Sequence, residues 1–188
     1  MPVHNGKSVQ RCRPDVRFIA VSSVLVGIFL LAYREDVMGG PLFPLVELTA
    51  RATAWLLGGL GLDVARTAGE IRHVGGFAYE IYYRCTGVLP AALLAILILV
   101  HPGSWRSKGL GLVLGIPVLG TLNLLRLVHL FLLGVHSPGA FELAHGFFWE
   151  AVLMAATLGL WLAWRRRSAR PRAGCRVPSS VLPGNPLS

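Results

Sequence analysis

Four long runs of apolar residues alternate with short polar segments along this chain. They occupy residues 18–33, 87–100, 110–135 and 147–164. Because a helix needs roughly 20 apolar residues to cross a hydrocarbon core of about 30 Å, the run at 87–100 needs help from its neighbours or a thinner bilayer. The first run could be a signal peptide, but charged residues follow it where a cleavage site is expected. The pattern predicts an all-α integral membrane protein with about four transmembrane helices.

The segment at residues 42–62 is apolar but carries two charges on one helical face, Glu47 and Arg51. The opposite stripe includes Leu48 and Trp55, which is typical of an amphipathic helix lying in the membrane interface. If this helix lies flat, twelve of the 18 lysines and arginines fall on the cytoplasmic side and five outside. If it spans, seven fall inside and nine outside. The positive-inside rule favours the flat helix, with both termini in the cytoplasm.

Residues 71–83 contain two alternating segments around a Gly-Gly pair, which predict a short extracytoplasmic β-hairpin. One face of its second strand carries Phe77, Tyr79, Ile81 and Tyr83. Cys85 would continue that face if the strand persisted. The hairpin therefore presents an apolar, aromatic face that ends at a cysteine.

The composition agrees with a membrane protein. Hydrophobic residues make up 54% of the chain, charged residues 14%, and the mean hydropathy is +0.60. The net charge of +9 is concentrated in the chain ends, which argues against nucleic-acid binding. We divide the chain into a basic cytoplasmic tail at 1–17, a multi-span membrane domain at 18–164 and a basic, disordered cytoplasmic tail at 165–188.

Of the three cysteines, Cys85 is the one whose sequence surroundings would favour a reactive thiol. Cys12 and Cys175 fall in the basic tails, and the three cysteines show neither CxxC spacing nor a disulfide framework. Cys85 precedes Thr86 and Gly87 at a predicted helix start, where the hydroxyl of Thr86 would cap the helix. The helix dipole and unpaired N–H groups there stabilise the thiolate, the nucleophilic form. The alternative is a small apolar residue without chemistry.

Arg126 lies inside the third apolar run, nearer its outer end. An arginine near mid-membrane costs roughly 2.5–3.5 kcal/mol on insertion scales, so it needs a partner or a water-filled cavity. Asn123 and His129 lie three residues to either side and would support it. A guanidinium can stabilise an oxyanion or hold a carboxylate. The alternative is a purely structural pair with Glu142 or Glu150.

His145 stands just before the fourth run, where its imidazole could take the thiol proton and later protonate a leaving amine. Glu142, three residues earlier, would orient the ring if the segment is helical. His73 and His136 compete for the role of general acid and base. The sequence has no HExxH motif, paired CxxC or glycine-rich phosphate loop, so we expect neither a metal nor a cofactor.

These residues together resemble the exosortase/archaeosortase family of membrane transpeptidases. The resemblance rests on an Arg-Cys-Thr-Gly segment at 84–87, an Asn-x-x-Arg segment at 123–126, and a histidine before the last span, His145. It covers about residues 79–164. The flat helix and hairpin resemble the short, single-domain members, closest to the exosortase H type.

The resemblance implies a membrane cysteine transpeptidase at the outer face of the cytoplasmic membrane. Its partners would be membrane lipids and membrane-anchored proteins whose C-terminal sorting signal combines a short motif, a hydrophobic helix and a basic cluster. Cleavage at this signal would transfer the substrate to an acceptor. Two other classes stay open: a noncatalytic polytopic subunit with a buried polar core, and a membrane cysteine peptidase that only hydrolyses.

Overall fold

The computed structural model of the protein describes residues 16–33 and 35–168. Most of the two predicted tails lies outside this part, namely residues 1–15 of the tail at 1–17 and residues 169–188 of the tail at 165–188. Cys12 and Cys175 therefore also lie outside the described residues. The last helix continues to Ser168, so residues 165–168 are helical instead of belonging to an irregular tail.

Helices dominate the described residues. They are α1 (Val16–Ala32), α2 (Glu35–Gly59), α3 (Val88–Val100), α4 (Trp105–His136), α5 (Pro138–Leu143) and α6 (Trp149–Ser168). A 3₁₀ turn (Tyr83–Thr86) precedes α3, and a π-helical turn (Ala144–Phe148) joins α5 to α6. The strands are β1 (Val64–Thr67), β2 (Glu70–His73) and β3 (Ala78–Glu80).

The apolar helices form a bundle in which α3 packs against α1, α4 and α6. Two glycines of α4 allow this approach. A Cβ atom at Gly111 would lie 2.6 Å from the Trp164 side chain, and one at Gly115 would lie 2.6 Å from Leu94. Small residues at such crossings let helix backbones come close, which is how helices commonly associate in membranes.

Two helical stretches of the described residues are long and apolar enough to cross a membrane, Trp105–His136 and Pro138–Ser168. Shorter apolar helices cover Phe18–Leu31 and Val88–Val100. Helix α2 is not among the helices that are long and apolar enough to cross a membrane. Many large apolar side chains of α1 and α4 are exposed, as expected for surfaces that face lipid. The structure is thus mostly helical, with two helical stretches that could cross a membrane, and the count of four spans stays a prediction.

Helix α2 has three faces instead of the two that the sequence suggested. Val46, Ala50 and Leu57 are buried against the rest of the protein, whereas Leu48 and Trp55 are 61% and 78% exposed. The third face is charged. Glu47 accepts hydrogen bonds from Arg51 on the same helix and from Arg66 of β1, whose guanidinium holds the pKa of the carboxyl below its usual range. This ion pair fastens the sheet to α2.

The predicted hairpin is part of a three-stranded antiparallel sheet in the order β1-β2-β3. The prediction missed β1. A two-residue turn connects β1 to β2, with positive φ at both Ala68 (42°) and Gly69 (93°), and Thr67 pairs with Glu70. Such turns usually contain Asn-Gly or Asp-Gly, so Ala-Gly gave no turn signal.

The predicted alternation is confirmed in β3 and continues into the 3₁₀ turn that follows it. Every second side chain is buried: Tyr79, Ile81, Tyr83 and Cys85 are 8%, 2%, 5% and 6% exposed. They form one core with Leu57 of α2 and with Leu127 and Phe131 of α4. The sheet therefore sits on the end of the helix bundle and carries the chain directly to Cys85.

Candidate active site

Cys85 lies in the 3₁₀ turn between the sheet and α3, and both of its backbone polar groups are bonded. Its N–H donates to the carbonyl oxygen of Tyr82 at 2.8 Å. Its carbonyl oxygen accepts from Nδ2 of Asn123 on α4 at 2.7 Å. These two contacts fix the backbone from which the thiol projects. Asn123 thus supports Cys85 directly, whereas the sequence associated it with Arg126.

The start of α3 differs from the prediction. The Thr86 hydroxyl does not cap the helix but donates to the carbonyl oxygen of Tyr83 at 2.6 Å and so closes the 3₁₀ turn. Gly87 occupies the cap position with φ 76°. A Cβ atom there would lie 3.1 Å from Cγ of Asn123. Gly87 is therefore required both by its left-handed backbone and by the close approach of α4.

Gly87→Ala is expected to reduce substrate processing by about 100-fold, because a small misplacement of reacting groups is enough for such a loss. The added Cβ strains the backbone and pushes on the side chain that holds the Cys85 carbonyl. Processing should be measured at matched protein abundance. Gly159→Ala is the control, since a Cβ at Gly159 meets nothing within 4 Å. Equal activity of the two variants would contradict this account.

Aromatic residues hold the 3₁₀ turn from the other side. The hydroxyl of Tyr33 donates to the carbonyl oxygen of Tyr83 at 3.1 Å, and Nε of Arg84 donates to the hydroxyl of Tyr83 at 2.9 Å. The Tyr33 hydroxyl therefore serves as a hydrogen-bond donor that holds the backbone of the turn.

Arg126 is buried in α4 at 4% exposure, and its Nη2 donates to Oε1 of Glu150 on α6 at 2.8 Å. Glu150 is half-exposed, with 49% of its side chain accessible. The ion pair matches one of the alternatives that the sequence left open. It does not use the whole guanidinium, because Nε is buried without a hydrogen-bond partner among the described residues. A donor of Arg126 thus remains for another group.

His145 lies in the π-helical turn, a distortion often found at functional sites. Its ring stacks on Phe141 with centroids 5.6 Å apart and an interplanar angle of 11°. The suggested role of Glu142 in orienting this ring stays a prediction; Glu142 is exposed, and the ring contact in the structure is with Phe141. His129 accepts a hydrogen bond from Nε1 of Trp149 at 3.0 Å, which ties α4 to α6.

One cavity of about 980 Å³ brings the predicted residues together. Cys85, Arg126, His145 and Glu142 all border it, as does Glu150. The competing histidines do not line it. Nδ1 of His73 accepts from the Gly75 N–H at 3.0 Å, and Nδ1 of His136 lies 3.0 Å from the Leu132 carbonyl oxygen.

A smaller cavity of about 370 Å³ shares Arg84, Arg126 and Glu150 with the first and has apolar walls that include Leu89 and Leu153. The Arg126–Glu150 ion pair therefore borders both the space next to the thiol and a smaller space between the helices. Within residues 16–33 and 35–168, no group of three histidine, cysteine or acidic side chains could hold a metal ion.

Sequence reasoning missed Tyr79 as a residue of the site. Its hydroxyl lies 3.9 Å from Sγ of Cys85, within hydrogen-bonding distance for sulfur, and its side chain borders the same cavity. The signal was available, since Tyr79 and Cys85 belong to the same alternating face. It was read only as an apolar pattern, because the register that brings the two side chains together depends on the 3₁₀ turn.

One known protein family matches most of this chain. The family described as transmembrane exosortase, of the EpsH type, matches residues 14–163, which is most of the chain and includes every residue of the cavity. Searches of curated proteins and of solved structures gave no significant match. By this match, the chain belongs to the transmembrane exosortase family.

Proposed function

We propose that this protein is a membrane cysteine transpeptidase that cleaves the C-terminal sorting signal of exported proteins and transfers them to an acceptor. The observation that carries the proposal is the single cavity bordered by Cys85, Arg126 and His145. A thiol, a fixed cation and an imidazole are the groups that acyl transfer through a covalent intermediate requires. Membership of the exosortase family supports the same reaction class.

In the first step, His145 takes the proton of the Cys85 thiol, and the thiolate attacks the carbonyl carbon of the scissile peptide bond. The carbonyl oxygen becomes an oxyanion, and Arg126, which borders the cavity, stabilises it with its positive charge and an N–H group that does not bond Glu150. The C–N bond then breaks. The amine of the cleaved C-terminal segment leaves with the proton from His145, and a thioester on Cys85 remains.

In the second step, the acceptor nucleophile attacks the thioester and gives its proton to His145. The C–S bond breaks, the new acyl bond forms and the thiol is regenerated with that proton. The half-exposed side chain of Glu150 and the exposed Glu142 make the cavity accessible to an incoming nucleophile. The reaction needs no redox change and no external proton donor.

The substrate's hydrophobic helix would lie in the membrane beside the bundle, and the cavity would receive the peptide that precedes it. In this arrangement α2 lies in the interface with Leu48 and Trp55 in lipid, since their exposure on a helix without span-like hydropathy suits that environment. Both termini are then cytoplasmic, and Cys85 faces the extracytoplasmic side of the inner membrane.

Reporter fusions test this topology. A fusion after Ala68 is expected to report the extracytoplasmic side, and a fusion after Arg167 the cytoplasmic side, because three further spans separate the two positions. The measurement is the activity of a reporter that works on only one side of the membrane. If the fusion after Ala68 reports the cytoplasmic side and the fusion after Arg167 the extracytoplasmic side, the flat position of α2 is wrong. If both fusions report the same side, the count of three spans between them is wrong.

Product mass tests the reaction. A strain that lacks the protein should accumulate an uncleaved helix-tailed protein, and purified protein should convert it to a product that carries the acceptor. A product that has gained water instead supports a hydrolytic peptidase. Unchanged processing without the protein supports a noncatalytic subunit. A His145→Ala variant that accumulates the thioester would place His145 in its resolution instead of in the first proton transfer.

A further inference from the structure

The side-chain surroundings of the Cys85 sulfur contain a group to which the proposed mechanism gives no role. The hydroxyl of Tyr79 is the hydrogen-bonding partner of Sγ, at 3.9 Å. Tyr79 is 8% exposed and Cys85 is 6% exposed, so water has little access to this contact. A thiolate in so dry a place needs a donor, because burial without a hydrogen bond disfavours the charged form.

The position of the Tyr79 ring is fixed on both sides. The backbone of Tyr79 is paired with Ile71 at the centre of the β2–β3 ladder. Its ring meets Phe141 edge-on with centroids 5.9 Å apart, and Phe141 in turn stacks on His145. Tyr79, Phe141 and His145 thus form one aromatic row along the wall of the cavity, and the Tyr79 hydroxyl at its end meets the thiol.

We propose that Tyr79 is a further catalytic residue, whose hydroxyl donates a hydrogen bond to the Cys85 thiolate and aims the sulfur into the cavity. The thiol proton goes to His145, and Tyr79 keeps its own proton throughout the cycle. Burial raises the pKa of Tyr79, with the neighbouring Cys85 acting in the same direction, so the phenol remains a donor when the thiolate forms. This role rests on the proposed function of Cys85 as the nucleophile.

The test measures the thiol by itself, apart from peptide transfer. The full chain, with Cys12 and Cys175 replaced by serine, is alkylated with iodoacetamide over a range of pH. In Tyr79→Phe, the midpoint of the labelling profile should move up by about one pH unit, and labelling at neutral pH should fall about tenfold, since a charge-assisted hydrogen bond is lost. Tyr82→Phe is the matched control, because its hydroxyl borders the same cavity but donates to Glu80.

Superimposable labelling profiles for Tyr79→Phe and the parent would overturn the role of Tyr79. Substitution with 3-fluorotyrosine keeps the size of the ring and makes the hydroxyl a stronger donor, so it should move the midpoint to lower pH; an unchanged midpoint counts against the proposal even if Tyr79→Phe misfolds. Failure of the proposed function is recognised separately. In that case Cys85→Ala would leave processing intact whatever the labelling profile shows.

Discussion

Replacing Cys85 with alanine is expected to abolish processing of the helix-tailed substrate while the protein still inserts into the membrane in near-normal amounts. Without the thiol no thioester forms, and removing the nucleophile of a hydrolase that works through an acyl intermediate costs about 10⁶ in kcat. The backbone stays in place, because both backbone bonds of Cys85, to Tyr82 and Asn123, survive in alanine, and only the sulfur atom is lost from the core. Processing and abundance should be measured together by immunoblotting.

Thiol labelling in intact cells provides the control. An impermeant alkylating reagent should modify Cys85 in the parent, and the modification should disappear in Cys85→Ser. Labelling that persists in Cys85→Ser would show that another cysteine reacts and would contradict the assignment of Cys85 as the nucleophile. Full processing by Cys85→Ala would leave the noncatalytic subunit as the better explanation.

The sequence predicted those features of the fold that depend on local pattern. Runs of apolar residues indicated the helices α1, α3, α4 and α6, and alternation along residues 77–85 indicated the face that is buried beneath the sheet. Each of these follows from a period of a few residues that one segment carries by itself. Family membership could also be predicted, because Cys85, Arg126 and His145 follow one another along the chain in the same order as in the family's pattern.

The rest depends on contacts between distant segments, which local pattern does not encode. The strand β1 was missed because its turn uses Ala68 and Gly69 in left-handed conformations. Thr86 was predicted to cap the start of α3, but its hydroxyl donates to the Tyr83 carbonyl oxygen in a 3₁₀ turn that periodicity did not indicate. Tyr79 looked like an ordinary core residue until the turn carried the thiol back towards it.

Arg126→Lys is expected to lower the rate of processing by about 100-fold or more, the usual cost of one oxyanion contact. Lysine keeps the positive charge, so an ion pair with Glu150 can form again. It lacks the planar fork, however, and one ammonium cannot serve the carboxylate and the oxyanion from two fixed directions. The measurement is the rate of thioester formation in a single turnover at matched protein abundance. A near-normal rate would make Arg126 a structural partner of Glu150.

Two further variants distinguish a catalytic role of Arg126 from a purely structural one. Arg66→Lys is the matched control, since Arg66 also pairs with a glutamate, Glu47, but lies outside the cavity; it should process substrate normally. Glu150→Gln removes the partner and keeps Arg126. If the ion pair only supports the fold, Glu150→Gln and Arg126→Lys should reduce abundance and activity in parallel. If Arg126 binds the oxyanion, activity should fall much further in Arg126→Lys than in Glu150→Gln, because only the first variant loses the group that meets the developing charge.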